Sequence, residues 1–382
     1  MTKKLNVFFI NHINDFDFIV PVIYFSKKSV IIFLNISDQL KNHPMYNYVN
    51  KTHICYELSL PKFSKIQRMF PEFIKQTYKE FNNNKKVKSI LSIFEDFNVN
   101  ELAIYFEHGT NPFYRRLQDN ILNLKKINSV FYSLPHGCAI IDNTMQTFED
   151  ISLLKIEKKN SFKNAYDNYT KIIVDDETQR KLMLLMGIKK QKLLLIENIR
   201  FTKKWSDILL RHYKTNFKFN YLNDKKKINI IFMLTKLNAN VFTRELYRCM
   251  RIISSFKNLN IILRSHPRGL KEAEKINKHF ANKFLIDNRH LTPCIYDRIS
   301  YVVALPSSAI YEAIIRNIPV IFPRYMSSSN LSEKLTRLVN IPNTPDEFYD
   351  CIQKISKGEH KHFVKTKYKN YIEKKNWNFI ND

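Results

Sequence analysis

A histidine and two arginines follow a run of core-type residues with no spacer. Asn258–Leu263 reads NLNIIL, a strand by composition, and the chain leaves it through Arg264, Ser265, His266, Pro267 and Arg268. A core has no use for such residues, whereas an anion site does. An imidazole N–H at a strand end can donate to a phosphate oxygen, and guanidinium groups add charge. Pro267 stiffens the loop that presents them. Further on, in ALPSSAIYEA (Ala304–Ala313), Ser307 and Ser308 fall where a strand gives way to a helix. A serine there caps the helix, and its hydroxyl and the first free backbone N–H groups form an anion site. Glu312 lies a turn to a turn and a half further in, within reach of a ribose laid across the helix start. Thr235 and Lys236 directly follow INIIFML (Ile228–Leu234) and are placed to touch the same phosphate. Each feature has a plainer alternative: incidental loop charges, a simple N-cap with a surface glutamate, a solvated lysine. The ordered set, strand–His-Pro then strand–Ser-Ser–helix–Glu, is what favours an anion site.

The first half offers groups that can take a proton from a hydroxyl. YFEHGTNPFYRRL places Glu107, His108 and Gly109 at a strand end, and YSLPHGCAIID places His136 and Gly137 at the next one. A carboxylate or an imidazole in such a position can act as a general base. The plainer alternative is a loop histidine beside a turn glycine, but only 5 glycines occur in the chain and two of them directly follow these histidines. Metal chemistry has little support. H-E-x-x-H and paired cysteines are absent; the D-x-D of Asp15-Phe16-Asp17 reads as a solvated loop, and Asp175-Asp176 as the start of a helix. The lack of G-x-G-x-x-G and of a Walker loop disfavours dehydrogenases and P-loop enzymes.

Elements must hold these groups, and the chain alternates short apolar strands with amphipathic helices. LNVFFI, SVIIFLNI, HICYEL, LAIYF, SVFYSL and KIIVDD read as strands of the first half, and INIIFML, NIILRS, YVVALP and PVIFP as strands of the second. Two helices are expected between HICYEL and LAIYF, one over Phe63–Phe81 broken at Pro71 and one over Val87–Phe97. Asn111 and Pro112 mark the start of another. This alternation predicts an α/β chain with parallel sheets covered on both faces. The strand signal lapses over Arg200–Lys227, and a domain boundary is expected between about residues 203 and 226, giving a first domain of 1–210 and a second of 225–382. Such sheets bind ligands at the carboxyl ends of their strands.

The 382 residues are enough for two cores, and 44% are apolar. Lys and Arg number 62 against 35 acidic residues, a net +27 that implies a polyanionic neighbour, although a Lys- and Asn-rich usage accounts for part of it. Apolar runs are too short to span a bilayer, the N-terminus lacks a signal-peptide pattern, and the five scattered cysteines suggest reduced thiols in the cytoplasm.

Over about residues 228 to 325 the chain resembles the C-terminal domain of bacterial GT-B glycosyltransferases that use cytidine-activated donors: sialyl- and polysialyltransferases, β-Kdo transferases and CDP-glycerol glycerophosphotransferases. His266-Pro267, Ser307-Ser308 and the following EAIIRNIPVIFP carry the likeness. It implies two Rossmann-like domains facing a central cleft, the first binding the acceptor and the second the donor, with a C-terminal helix returning to the first domain. It further implies that His266, Ser307 and Ser308 bind the donor phosphate, with Pro267, Arg264 and Lys236 beside them, and that Glu312 meets the ribose or base. Glu107-His108-Gly109 is similar to the acidic-acidic-Gly motif that carries the base in sialyltransferases, with histidine in the middle position, and His136-Gly137 to the HG loop of the CDP-glycerol relatives. The expected activity is transfer of a CMP-linked sugar to a hydroxyl of a bacterial capsule or lipopolysaccharide glycan, without metal or cofactor. The donor, the glycan or glycolipid acceptor and an anionic membrane surface are the expected partners, and the cytoplasmic face of the inner membrane is the expected place. Alternatives are a CDP-glycerol-type transferase, a UDP-sugar transferase or epimerase of the same fold, and a nucleic-acid-binding protein. The spread of the basic residues along the chain and the lack of a nucleic-acid motif weigh against the last.

Overall fold

The computed structural model describes residues 4–27, 29–58, 72–97, 99–107, 111–124, 127–135, 160, 163–175, 177–196, 199–212, 224, 226–235, 241–266, 270–287, 298–305, 307, 309–328, 331 and 333–359. The chain divides into two compact units, and among the described residues it passes from the first to the second between Arg200 and Phe201. In the first, β1 (Lys4–Ile10), β2 (Val30–Phe33), β3 (Ile54–Glu57), β4 (Glu101–Glu107), β5 (Asn128–Leu134), β6 (Lys171–Val174) and β7 (Leu193–Leu195) form one sheet in the order β3-β2-β1-β4-β5-β6-β7. In the second, β8 (Ile228–Met233), β9 (Leu259–Arg264), β10 (Leu285–Asp287), β11 (Tyr301–Ala304) and β12 (Val320–Ile321) run in the order β10-β9-β8-β11-β12. Every pairing of these strands is parallel.

Both sheets are doubly wound. The chain builds outward from the first strand in one direction, then returns to its other side. Strand order therefore reverses between β1 and β4 in the first unit and between β8 and β11 in the second. Loops leaving those neighbours diverge to opposite faces and open a crevice at the carboxyl edge.

Parallel strands covered on both faces favour apolar residues, and the second half of β1 has them: Val7, Phe8, Phe9 and Ile10 are all fully buried. Successive residues point to opposite faces. Phe8 stacks on Tyr105 at 4.6 Å and Tyr105 on Tyr132 at 4.8 Å, while Phe9 stacks on Phe106 at 5.0 Å.

Four elements differ from the sequence expectation. Asp15-Phe16-Asp17 is not a solvated loop; it lies in the first turns of a helix, Ile13–Phe25. The Asp15 carboxylate is buried and accepts from the backbone N–H groups of Asn11 (3.0 Å) and His12 (2.9 Å), so it serves the helix start. Between β3 and β4 the described helix is one, Glu72–Glu95, running through Asn82-Asn83-Asn84 without a break. Asparagine is a weak helix former but breaks nothing, unlike Gly or Pro, and Val87, Ile90 and Phe94 bury a common stripe beyond it. The edge strands β7 and β10, three residues each, carry too few positions to show a period.

After the crossing, helix Lys203–His212 packs within the second unit. Phe201 meets Tyr311 at 5.5 Å, and the Arg316 guanidinium donates to Ser206 Oγ from Nε (2.9 Å) and from its terminal nitrogen (2.7 Å). The composition change that divides the sequence begins at this crossing.

Candidate functional site

In the second unit, register aligns the carboxyl ends of four adjacent strands. Asp287 of β10 is level with Arg264 of β9, Arg264 with Met233 of β8, and Met233 with Ala304 of β11. Whatever follows these residues leaves the sheet at one edge. Ser265 and His266 follow β9, Thr235 follows β8, and Ser307 follows β11. The sheet thus brings His266, Thr235 and Ser307, remote in sequence, to the edge where its strand order reverses.

Local bonds set the posture of each. The Ser265 hydroxyl is buried and accepts from the Ala273 N–H (3.3 Å), which ties the loop after β9 to helix Leu270–His279. Ser307 Oγ accepts from the Ala309 N–H (3.3 Å), the expected capping of helix Ala309–Ile315. Glu312, half-buried, lies in the first turn of that helix. Arg316 and Tyr311 fasten the same helix to the segment Phe201–Ser206.

Arg264 is placed differently from a surface cation. Only 8% of it is exposed, and its guanidinium lies 3.5 Å from the buried carboxylate of Asp287. At that length the contact is ionic rather than a well-aligned hydrogen bond. Two opposite charges held beneath the edge stiffen the ends of β9 and β10 and offer little net charge to a ligand. His266, beyond the edge, is partly exposed.

Pro267, Ser308 and Lys236 lie outside the described residues, as do His108 and His136. Glu107 is the last residue of β4, at the carboxyl edge of the first sheet and beside its order reversal. The sequence reading passed over what leaves β1 at the same reversal: Asn11 and His12. Their Asn-His at a strand end follows the same grammar as the other strand-end pairs and was legible. Among the described residues of this unit, several basic groups are wholly or partly withdrawn from solvent, buried His43 among them. Lys86, 8% exposed, donates from Nζ to the Leu34 carbonyl (2.8 Å) under the end of β2, and burial pushes its pKa down. His53, at the amino end of β3, accepts from the Ser29 N–H at Nδ1 (3.2 Å), and burial lowers its pKa too.

Two parallel, doubly wound α/β sheets in one chain are the GT-B fold, the class named by the sequence resemblance. No protein-family model and no curated sequence matches the chain. Solved structures do, across nearly its whole length. UDP-GlcNAc 2-epimerase from Methanocaldococcus jannaschii superposes with a TM-score of 0.60 at 11% identity, covering 92% of each chain. UDP-GlcNAc 2-epimerase from Neisseria meningitidis, solved bound to UDP-GlcNAc, gives 0.60 at 11% identity and covers 93% of this chain and 92% of its own. A lipopolysaccharide outer core galactosyltransferase gives 0.51 at 9% identity, with 96% and 93% covered. At these identities the likeness is one of fold.

Proposed function

We propose that this chain is an enzyme acting on a nucleotide-activated sugar, a glycosyltransferase with a UDP-linked donor. One observation carries the reading: in the second unit His266, Thr235 and Ser307 share the carboxyl edge at the point where strand order reverses. An imidazole and two hydroxyls there suit the phosphates of a nucleotide, with Glu312 one turn along for the ribose. Arg264 acts from beneath by holding the loop. Ser308, Pro267 and Lys236 complete the site by sequence proximity. As the acceptor hydroxyl attacks the anomeric carbon, charge grows on the leaving phosphate, and His266 and the serine hydroxyls stabilise it. Glu107, His108 or His136 takes the acceptor's proton.

The uridine donor is favoured over the cytidine donor because the fold neighbours include a UDP-GlcNAc-bound enzyme, whereas the cytidine reading rests on His266-Pro267 and Ser307-Ser308 alone. Two of the neighbours named above are 2-epimerases, which supports UDP-sugar epimerisation as a second reading. A galactosyltransferase of the lipopolysaccharide outer core among the neighbours supports a bacterial surface glycan as acceptor. The net +27 supports work at an anionic membrane face, and among the described residues no helix is long and apolar enough to cross a membrane.

The test is thermal-shift titration with UDP, UDP-GlcNAc, CMP and CDP on wild type and His266→Ala. Uridine nucleotides should stabilise wild type by about 2.7 kcal/mol at a hundredfold excess over Kd, and the variant far less. Cytidine preference would restore the CMP-sugar reading, and no stabilisation by any nucleotide would sink the enzyme reading. Incubation with UDP-GlcNAc alone separates the two activities: inversion at C2 marks an epimerase, and an unchanged sugar a transferase.

A further inference from the structure

We infer that the carboxyl edge of the first unit carries a recognition site for a neutral, hydroxyl-rich ligand, built from Asn11, His12 and Asn35. This rests on the nucleotide-sugar reading and names the chemistry of the acceptor side. β1 is an interior strand of its sheet, and strand order reverses between it and β4. Asn11 and His12 are the first residues beyond β1; Asn35 lies two beyond β2, whose Phe33 is level with Ile10. In a doubly wound sheet this reversal is where ligands bind.

The three side chains are linked. The Asn35 amide donates to Asn11 Oδ1, and the Asn11 amide lies 3.1 Å from His12 Nε2. Backbone bonds hold the row from below, since buried Asp15 accepts from both Asn11 N–H (3.0 Å) and His12 N–H (2.9 Å). The carboxylate is thereby turned away from solvent into the loop, and the groups left facing out are amides and an imidazole. His12 and Asn35 are exposed, and Asn11 is partly so. His12 is also the N-cap residue of helix Ile13–Phe25, so the capping box with Asp15 fixes its backbone while the residue stays exposed. The ammonium of Lys86 is spent on the Leu34 carbonyl beneath the edge.

Each of these three side chains can both donate and accept, which is what a hydroxyl group demands of its partner and what a phosphate does not. An amide keeps a carbonyl and an N–H available after making one bond, so a row of two amides and an imidazole matches vicinal hydroxyls of a sugar ring. The second unit, in contrast, sets His266 beside two hydroxyls over an arginine. Chemistry divides accordingly: anion on the second unit, neutral glycan on the first.

The experiment is binding of the full chain to an array of neutral, sialylated and phosphorylated oligosaccharides, for wild type, His12→Ala and Asn35→Ala. UDP binding by thermal shift is measured on the same samples. Neutral glycans should be retained by wild type and weakened about tenfold by each substitution, the loss of roughly one hydrogen bond, with UDP binding unchanged in all three. Asn35→Ala keeps the test sound if His12→Ala melts early. Retention only of acidic glycans, no retention of any, or retention unaffected by both substitutions would overturn the inference while UDP binding leaves the nucleotide reading standing. Loss of UDP binding in wild type would overturn both.

Discussion

Asp287→Asn is the substitution that most directly probes how the second unit's edge is built. It keeps the shape of the side chain and removes its charge. Arg264 and Asp287 sit 3.5 Å apart with side chains 10% and 1% exposed. At an effective dielectric of about 20, opposite charges at that distance attract by roughly 5 kcal/mol. Asparagine retains a dipole, so the net loss should be about 3 kcal/mol, the lower end of what breaking a buried pair costs. Native-state hydrogen exchange of β9 and β10 amides reports this locally, and 3 kcal/mol corresponds to exchange about 150-fold faster. The double substitution Arg264→Met with Asp287→Leu removes both charges and should return within about 1 kcal/mol of wild type. If Asp287→Asn quickens exchange less than fivefold, or tightens UDP binding, then Arg264 serves the ligand and not the sheet, and the buttress argument is refuted.

Other consequences can be measured on the same protein. Asp15→Ala strips two backbone N–H groups of their carboxylate partner and should lower stability by about 2 kcal/mol in urea unfolding; a loss under 0.5 kcal/mol would mean that water replaces it. Arg316→Lys gives up the fork that holds Ser206 and should lower the melting temperature, with a stability loss of about 1 kcal/mol that Ser206→Ala reproduces and does not add to. His53 has a folded pKa below its unfolded one, so as pH falls through about 6.5 the unfolded chain takes the proton first and stability declines; above that range its contribution is complete. His53→Ala should be less stable at pH 8 and show a shallower fall from pH 7 to pH 5, and an unchanged slope would remove His53 from the account.

Much of the fold was legible because parallel strands buried on both faces are largely apolar. VFFI, VIIF, IIFM and IIL are such runs, and Asn111-Pro112 marks a helix start that the structure confirms through Asn111 Oδ1 and the Phe113 N–H. The helix after β1 was not legible. Its start carries Asp15 in the first turn and Asp17 in the next, which look like solvent-facing acids, and Pro21 sits in its interior. Only in three dimensions does Asp15 meet two backbone donors, and Asp17 meet His43 at 3.0 Å. The strand-end residues of the second unit were found from local grammar alone. The partner of Arg264 was not, since Asp287 reaches it only through the β9–β10 register, and register is a property of the sheet.

The position of β1 has a consequence for how the protein is made. β1 meets β2 early, with Val7 beside Val30, but its other edge waits for β4, where Lys4 pairs with Glu101, a separation of 101 − 4 = 97 residues. At ordinary translation rates that is about 5 to 20 s. For that interval a strand destined for the interior of the sheet is a border of a nascent two- or three-stranded sheet, with Phe8 and Phe9 still lacking the Tyr105 and Phe106 rings that will stack on them. The ribosome-bound chain is therefore most prone to wrong pairing before residue 101 is made, and the burden of protecting it falls on whatever chaperones meet the first hundred or so residues.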